Sequence, residues 1–149
     1  MTIQPSPSPM KRAVQALPHV QPDHAPARLL LFAMRRMGAN GLHDAVAAHA
    51  LFTTFGPGFR RPLTLLRTLM AEISSSSTGS IRIAPPCCCR MTADESAMVE
   101  CVARITTRPD RSALIAADLV GRRDPGGILI AAAALATAFE DLGAPLYRD

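Results

Sequence analysis

The chain has no tryptophan, one tyrosine and five phenylalanines in 149 residues. Proteins that read single-stranded nucleic acid or glycans depend on aromatic faces for stacking, so this poverty of rings argues against both. Lysine is equally scarce: of 16 basic residues, 15 are arginine and only Lys11 is lysine. That skew fits the codon bias of a GC-rich genome better than a designed cationic surface. Long apolar runs are missing too. The longest, Ile128 to Phe139, covers 12 residues including Thr137, short of the roughly 20 that cross a bilayer and suited to a buried helix. Residues 1–27 lack the apolar stretch of a signal peptide, so a cytoplasmic location with reduced thiols is expected. Neither a phosphate-binding glycine loop nor a Gly-x-Ser-x-Gly nucleophile elbow is present.

What is present reads as one soluble helical domain. The hydrophobic share of 48% is globular, and a chain of this length can bury most of its apolar surface without staples. Six of the 13 prolines (Pro5, Pro7, Pro9, Pro18, Pro22 and Pro26) crowd the start. Residues 1–26 are therefore expected to be a disordered tail in which His19 and His24 have no role, with the domain proper at 27–149.

Helix punctuation then recurs. Helices are expected at about 27–37, ending at Gly38, at 42–55, and from Pro62 to the serine run 74–77. Three more follow at 93–106, 110–120 and 125–142. Thr92 and Glu95 form a capping-box pair ahead of the fourth. Ile81-Arg82-Ile83 alternates like a strand but has no evident partner, and reads as an extended connector. The last helix opens at Asp124-Pro125, stops at Gly143, and is Ala-rich and apolar on every side, which predicts a place at the bundle centre. The fold class expected is all-α: a compact bundle of about six helices.

Charge divides unevenly. Residues 27–90 hold eight arginines against Asp44 and Glu72, whereas 91–149 hold six against nine acids. Arg35, Arg36, Arg60 and Arg61 are candidates for an anion- or partner-binding surface. Nucleic acid is not favoured, because no recognition motif accompanies the charge. His43 and His49 stand six residues apart, so they do not share a helix face as an i,i+4 metal pair does. His49 falls on a stripe with Leu42, Ala45, Val46 and Phe52, where a hydrogen-bonded core histidine is expected.

The densest cluster of reactive side chains is Cys87-Cys88-Cys89, behind Pro85-Pro86 and ahead of the capping box. In extended backbone Cys87 and Cys89 point one way and Cys88 the other. Arg82, Arg90 and a helix start supply positive surroundings that Asp94 and Glu95 partly offset. Such thiols suit redox chemistry or a thiophilic metal such as zinc, although the spacing is not Cys-x-x-Cys. Cys101 lies on the stripe with Met98, Val102 and Ile105 and reads as a small core hydrophobe.

Arg35-Arg36-Met37, His43-Asp44-Ala45, Phe59-Arg60-Arg61-Pro62-Leu63 and Pro86 through Thr92 together resemble an uncharacterised bacterial domain-of-unknown-function family with a Pro-Cys-Cys-Cys loop, over about 28–142. The resemblance implies no catalytic or binding residues. The function expected is a small non-enzymatic binding or regulatory protein whose cysteine loop senses oxidants or holds a metal. Its partner is another protein or a second copy, and no membrane is involved. A thiol-dependent enzyme using one of Cys87, Cys88 or Cys89, assisted by His43 or His49, is the alternative from another class. A structural module recognised through its arginine-rich half is the third.

Overall fold

The computed structural model describes residues 17–147, in which six α-helices follow β1 (His19–Val20). Local chemistry sets each helix boundary. α1 (Ala25–Asn40) opens with Pro26 in its first turn, where a missing N–H costs nothing, and ends at Gly41 with φ 99°. α2 (Ala45–Phe55) is capped by Asp44, which accepts the Ala47 amide at 2.9 Å. The Arg36 guanidinium donates to the same carboxylate at 3.0 Å, and with the Ala47 amide it holds Asp44 below the ordinary carboxylate range. A 3-10 turn (Gly56–Phe59) leads into α3 (Arg60–Ser76), whose Pro62 lies buried in its first turn. β2 (Arg90–Met91), α4 (Ala93–Arg104), α5 (Pro109–Val120) and α6 (Gly126–Asp141) complete the chain order.

The helices pack chiefly as pairs: α1 on α2, α4 on α5, and α3 on α6. Leu30, Met34, Leu66, Met98, Leu135 and Phe139 are fully buried, and apolar residues of all six helices join one cluster. Phe55 and Phe139 meet edge to face at 5.1 Å between ring centres, an arrangement the ring quadrupoles favour. Ile81-Arg82-Ile83 lies outside every helix and strand among the described residues and has no strand partner, as its sequence suggests. Ile83 packs over Gly38, where a Cβ would collide with its Cδ1. Gly38 therefore does not stop α1. It lies within the helix as the gap that admits the connector.

Three expectations need correction. Residues 1–16 of the proposed tail lie outside the described residues, but 17–26 are held in place. β1 pairs antiparallel with β2, His19 opposite Met91, and His24 Nε2 lies 2.6 Å from the Pro145 carbonyl. Proline there shapes an extended strand and a helix start rather than preventing order. His49 is not a core residue: it is exposed, with Nε2 3.5 Å from Thr53 Oγ1. α2 buries only Ala47 and Leu51, so Val46 and Phe52 of the supposed stripe face outward. α6 is not surrounded on all sides either. Ile130 is 75% exposed and Thr137, two turns on, is exposed as well, which leaves one open strip along an otherwise buried helix.

This orientation predicts a contrast between two aspartates. Leu135→Asp puts an unpaired charge where nothing solvates it and should cost several kcal/mol, enough to unfold a marginal domain. Ile130→Asp should change the urea midpoint little. Equal effects in chemical denaturation would show that α6 is turned otherwise.

Candidate thiol site

Arg35, expected on the surface, is 1% exposed, and its side chain lies within the protein beside Glu95, which is 0% exposed. Arg35 Nε donates to Glu95 Oε2 at 2.6 Å and Nη2 to Oε1 at 3.2 Å, a two-point contact. Nη1 donates to the Cys88 carbonyl at 2.6 Å, and Nη2 to the Arg90 carbonyl at 2.7 Å. Glu95 in turn completes the capping box of α4: its Oε1 accepts the Thr92 amide at 2.9 Å, while Thr92 Oγ1 accepts the Glu95 amide at 3.0 Å. One guanidinium thus joins the middle of α1, the start of α4 and the loop between them. Every buried side-chain nitrogen and oxygen at this centre has at least one hydrogen-bond partner, which a buried ion pair requires.

The loop it grips carries the cysteine triplet. The Cys88 amide donates to the Pro85 carbonyl at 3.0 Å, closing a four-residue turn with Pro86 in the position proline favours. The Cys88 carbonyl accepts a second donor, Gln21 Nε2, at 2.6 Å. Arg90 Nε reaches back to the Leu17 carbonyl at 2.7 Å, beside the two-residue ladder. With the backbone held at Cys88 and Arg90, the side chains alternate. Cys88 is buried, whereas Cys87 and Cys89 are exposed. Thr92 Oγ1 also donates to the Arg82 carbonyl, and the Asp94 carboxylate accepts the Arg82 amide, both at 2.7 Å, which ties the connector to the same helix start.

Cys101 stands apart. Its Sγ donates weakly to the Ser112 carbonyl at 3.7 Å while Ser112 Oγ donates to the Cys101 carbonyl at 2.9 Å, stitching α4 to α5. Burial, helped by the Glu100 carboxylate, pushes this thiol up to about 11, so it is inert at neutral pH.

The remaining candidates do not converge on the loop. Arg36 is spent on Asp44, Arg61 pairs with Asp141 at 2.8 Å, and Arg60 is exposed. With Arg35 buried, the four arginines form no common surface. His43 is exposed in the turn after α1, and neither it nor His49 is hydrogen-bonded to a cysteine. Among the described residues no three His, Cys, Asp or Glu side chains gather as metal ligands. A cleft of about 710 Å³ opens elsewhere, among Met37, Met70, Ile73, Ile81, Ile83 and Met98 beneath a serine rim, and no ionisable side chain lines it. No helix among the described residues is long and apolar enough to cross a membrane.

The chain belongs to a family of unknown function (DUF6628), whose model matches residues 14–123. The match takes in α1 to α5 and the cysteine loop and ends ahead of α6. No curated protein and no solved structure matches the chain.

The buried pair predicts an asymmetric response to mutation. Arg35→Ala strands the Glu95 carboxylate and should cost about 3–5 kcal/mol in urea unfolding, whereas Arg61→Ala, at an exposed pair, should cost at most about 1 kcal/mol. A loss at Arg35 as small as that at Arg61 would mean that the guanidinium is solvated and holds nothing.

Proposed function

We propose that this member of a family of unknown function is a small non-enzymatic regulatory protein that works through two exposed thiols, Cys87 and Cys89, in the reducing cytoplasm. One observation carries the reading. The loop that displays them is fixed at its central carbonyl by Arg35 and Gln21, so both thiols face solvent on a prearranged backbone. A loop of thiols that served packing alone would bury them, and only Cys88 is buried. Redox chemistry is favoured over a metal because a tetrahedral site wants four ligands and this loop offers two outward sulfurs. No histidine is hydrogen-bonded to a cysteine, so nothing favours the enzyme reading.

The chemistry is a two-electron oxidation. The thiolate of one exposed cysteine attacks an oxygen of a peroxide, the O–O bond breaks, and the sulfur becomes a sulfenic acid as water leaves. The second thiolate attacks that sulfur, the S–O bond breaks and another water leaves. Two thiols have then given up two electrons and two protons, and the peroxide has become two waters. The chain turns at Cys87 and bends at Cys89, so it is not at the roughly 6.6–7.2 Å that two residues span when extended, and a disulfide bridges Cα atoms about 4.4–6.8 Å apart. Closing the Cys87–Cys89 ring constrains the backbone on both sides of the Cys88 carbonyl that Arg35 holds, which couples loop oxidation to the contact between α1 and α4. A protein partner that docks on the loop would read the difference.

Limited peroxide treatment followed by peptide mapping should find a Cys87–Cys89 link, formed as readily in Cys88→Ser and abolished in Cys87→Ser and in Cys89→Ser. Oxidation confined to sulfinic acids, or a link that needs Cys88, would contradict the reading.

A further inference from the structure

Beside the thiol loop the surface sinks into a cleft of about 220 Å³, the space of roughly seven waters. Gln21, Arg28, Leu31, Phe32, Arg35 and Pro86 form its wall. Three of these are apolar, two are arginines, and no carboxylate belongs to the lining. Arg35 is matched in charge by Glu95, but its hydrogen bonds use four of the five guanidinium N–H groups. The remaining one, on Nη1, has no acceptor among the described residues. Arg28 is exposed and forms no ion pair among the described residues. Arg35, with one N–H to spare, and the unmatched cation Arg28 are thus both wall residues of one small, partly apolar hollow. Such a hollow suits a carboxylate on a short carbon body. Cys87 follows Pro86 across a trans peptide, which puts its Cα about 3.8 Å from that of a wall residue.

We infer that this cleft seats the carboxylate of a low-mass disulfide, and that carboxylate-bearing disulfides are the exchange partners of Cys87. The inference rests on the thiol reading above and adds the class of molecule. The Cys87 thiolate attacks one sulfur of the bound disulfide, its S–S bond breaks, and one small thiolate leaves. Cys89 then attacks the Cys87 sulfur of the mixed disulfide and the second small thiol departs. The protein thiols lose two electrons and two protons, and the small disulfide ends as two thiols. Arg28 touches the carboxylate and not the reacting sulfur, so its part is selection of the anion.

The test compares three reagents of similar size on the reduced full chain: dithiodipropionate, an anion; hydroxyethyl disulfide, neutral; and cystamine, a cation. Modification of Cys87 is followed by mass spectrometry at low salt. The anion should react fastest and the cation slowest, with a spread on the order of fivefold that shrinks as salt is raised. Arg28→Glu, an exposed change that leaves the fold intact, should reverse the order while the neutral reagent keeps its rate. Equal rates for the three, or an order unchanged in Arg28→Glu, would overturn the inference and leave the thiol reading standing. Failure of all three to modify Cys87 would overturn both.

Discussion

Burying a guanidinium and a carboxylate together removes two charges from water, at a cost that their mutual attraction repays only if every remaining donor and acceptor is also met. Arg35 and Glu95 come close to that condition by recruiting backbone. Glu95 takes the Thr92 amide as well as two arginine N–H groups, and Arg35 takes the carbonyls of Cys88 and Arg90. The loop carbonyls are there because the arginine needs acceptors, and the arginine is there because the capping-box glutamate is buried. Such a pair adds little net stability over a well-packed apolar pair, but it penalises any arrangement that leaves one partner alone. Its contribution here is register: α1, the loop and α4 meet in one way.

The position of the thiols follows from that register. With the Cys88 carbonyl drawn inward by Arg35 and Gln21, Cys87 in the turn before it and Cys89 at the bend after it stay exposed. The same inward pull brings the Pro86 turn against the first turns of α1, and the hollow beside Arg28 is what remains between them. Packing, polar pairing and thiol display are consequences of one buried centre. Cys101 shows the opposite case, a thiol enclosed by apolar neighbours and raised out of reactivity.

Much of the frame was legible in the sequence because it depends on local rules. The Thr92–Glu95 capping box, the glycine stop at Gly143, and the alternation across Cys87, Cys88 and Cys89 rest on neighbours a few residues apart. The centre of the site was not legible, since Arg35-Arg36 reads as a surface pair. A signal did exist: Arg35 continues the buried spacing of Ala27 and Leu31, four residues per step along α1. Residue type alone points an arginine to water, whereas its place in that spacing points it inward. The reverse error befell His49, placed inside by a stripe that α2 turns to solvent. In the last helix an all-apolar sequence concealed which side stays open, because hydrophobicity on every face carries no phase.

The central claim is that the Arg35–Glu95 pair holds the loop so that Cys88 stays inside. The direct measurement is the native-state alkylation rate of each cysteine in the double variant Arg35→Met, Glu95→Gln. That variant strands no buried charge and keeps a glutamine able to complete the capping box. With the helical circular dichroism retained, Cys88 should lose its protection and react at a rate near those of Cys87 and Cys89, while Cys101 stays unreactive. A Cys88 that remains protected in that folded variant would contradict the account, because the loop would then owe its conformation to something other than the buried pair.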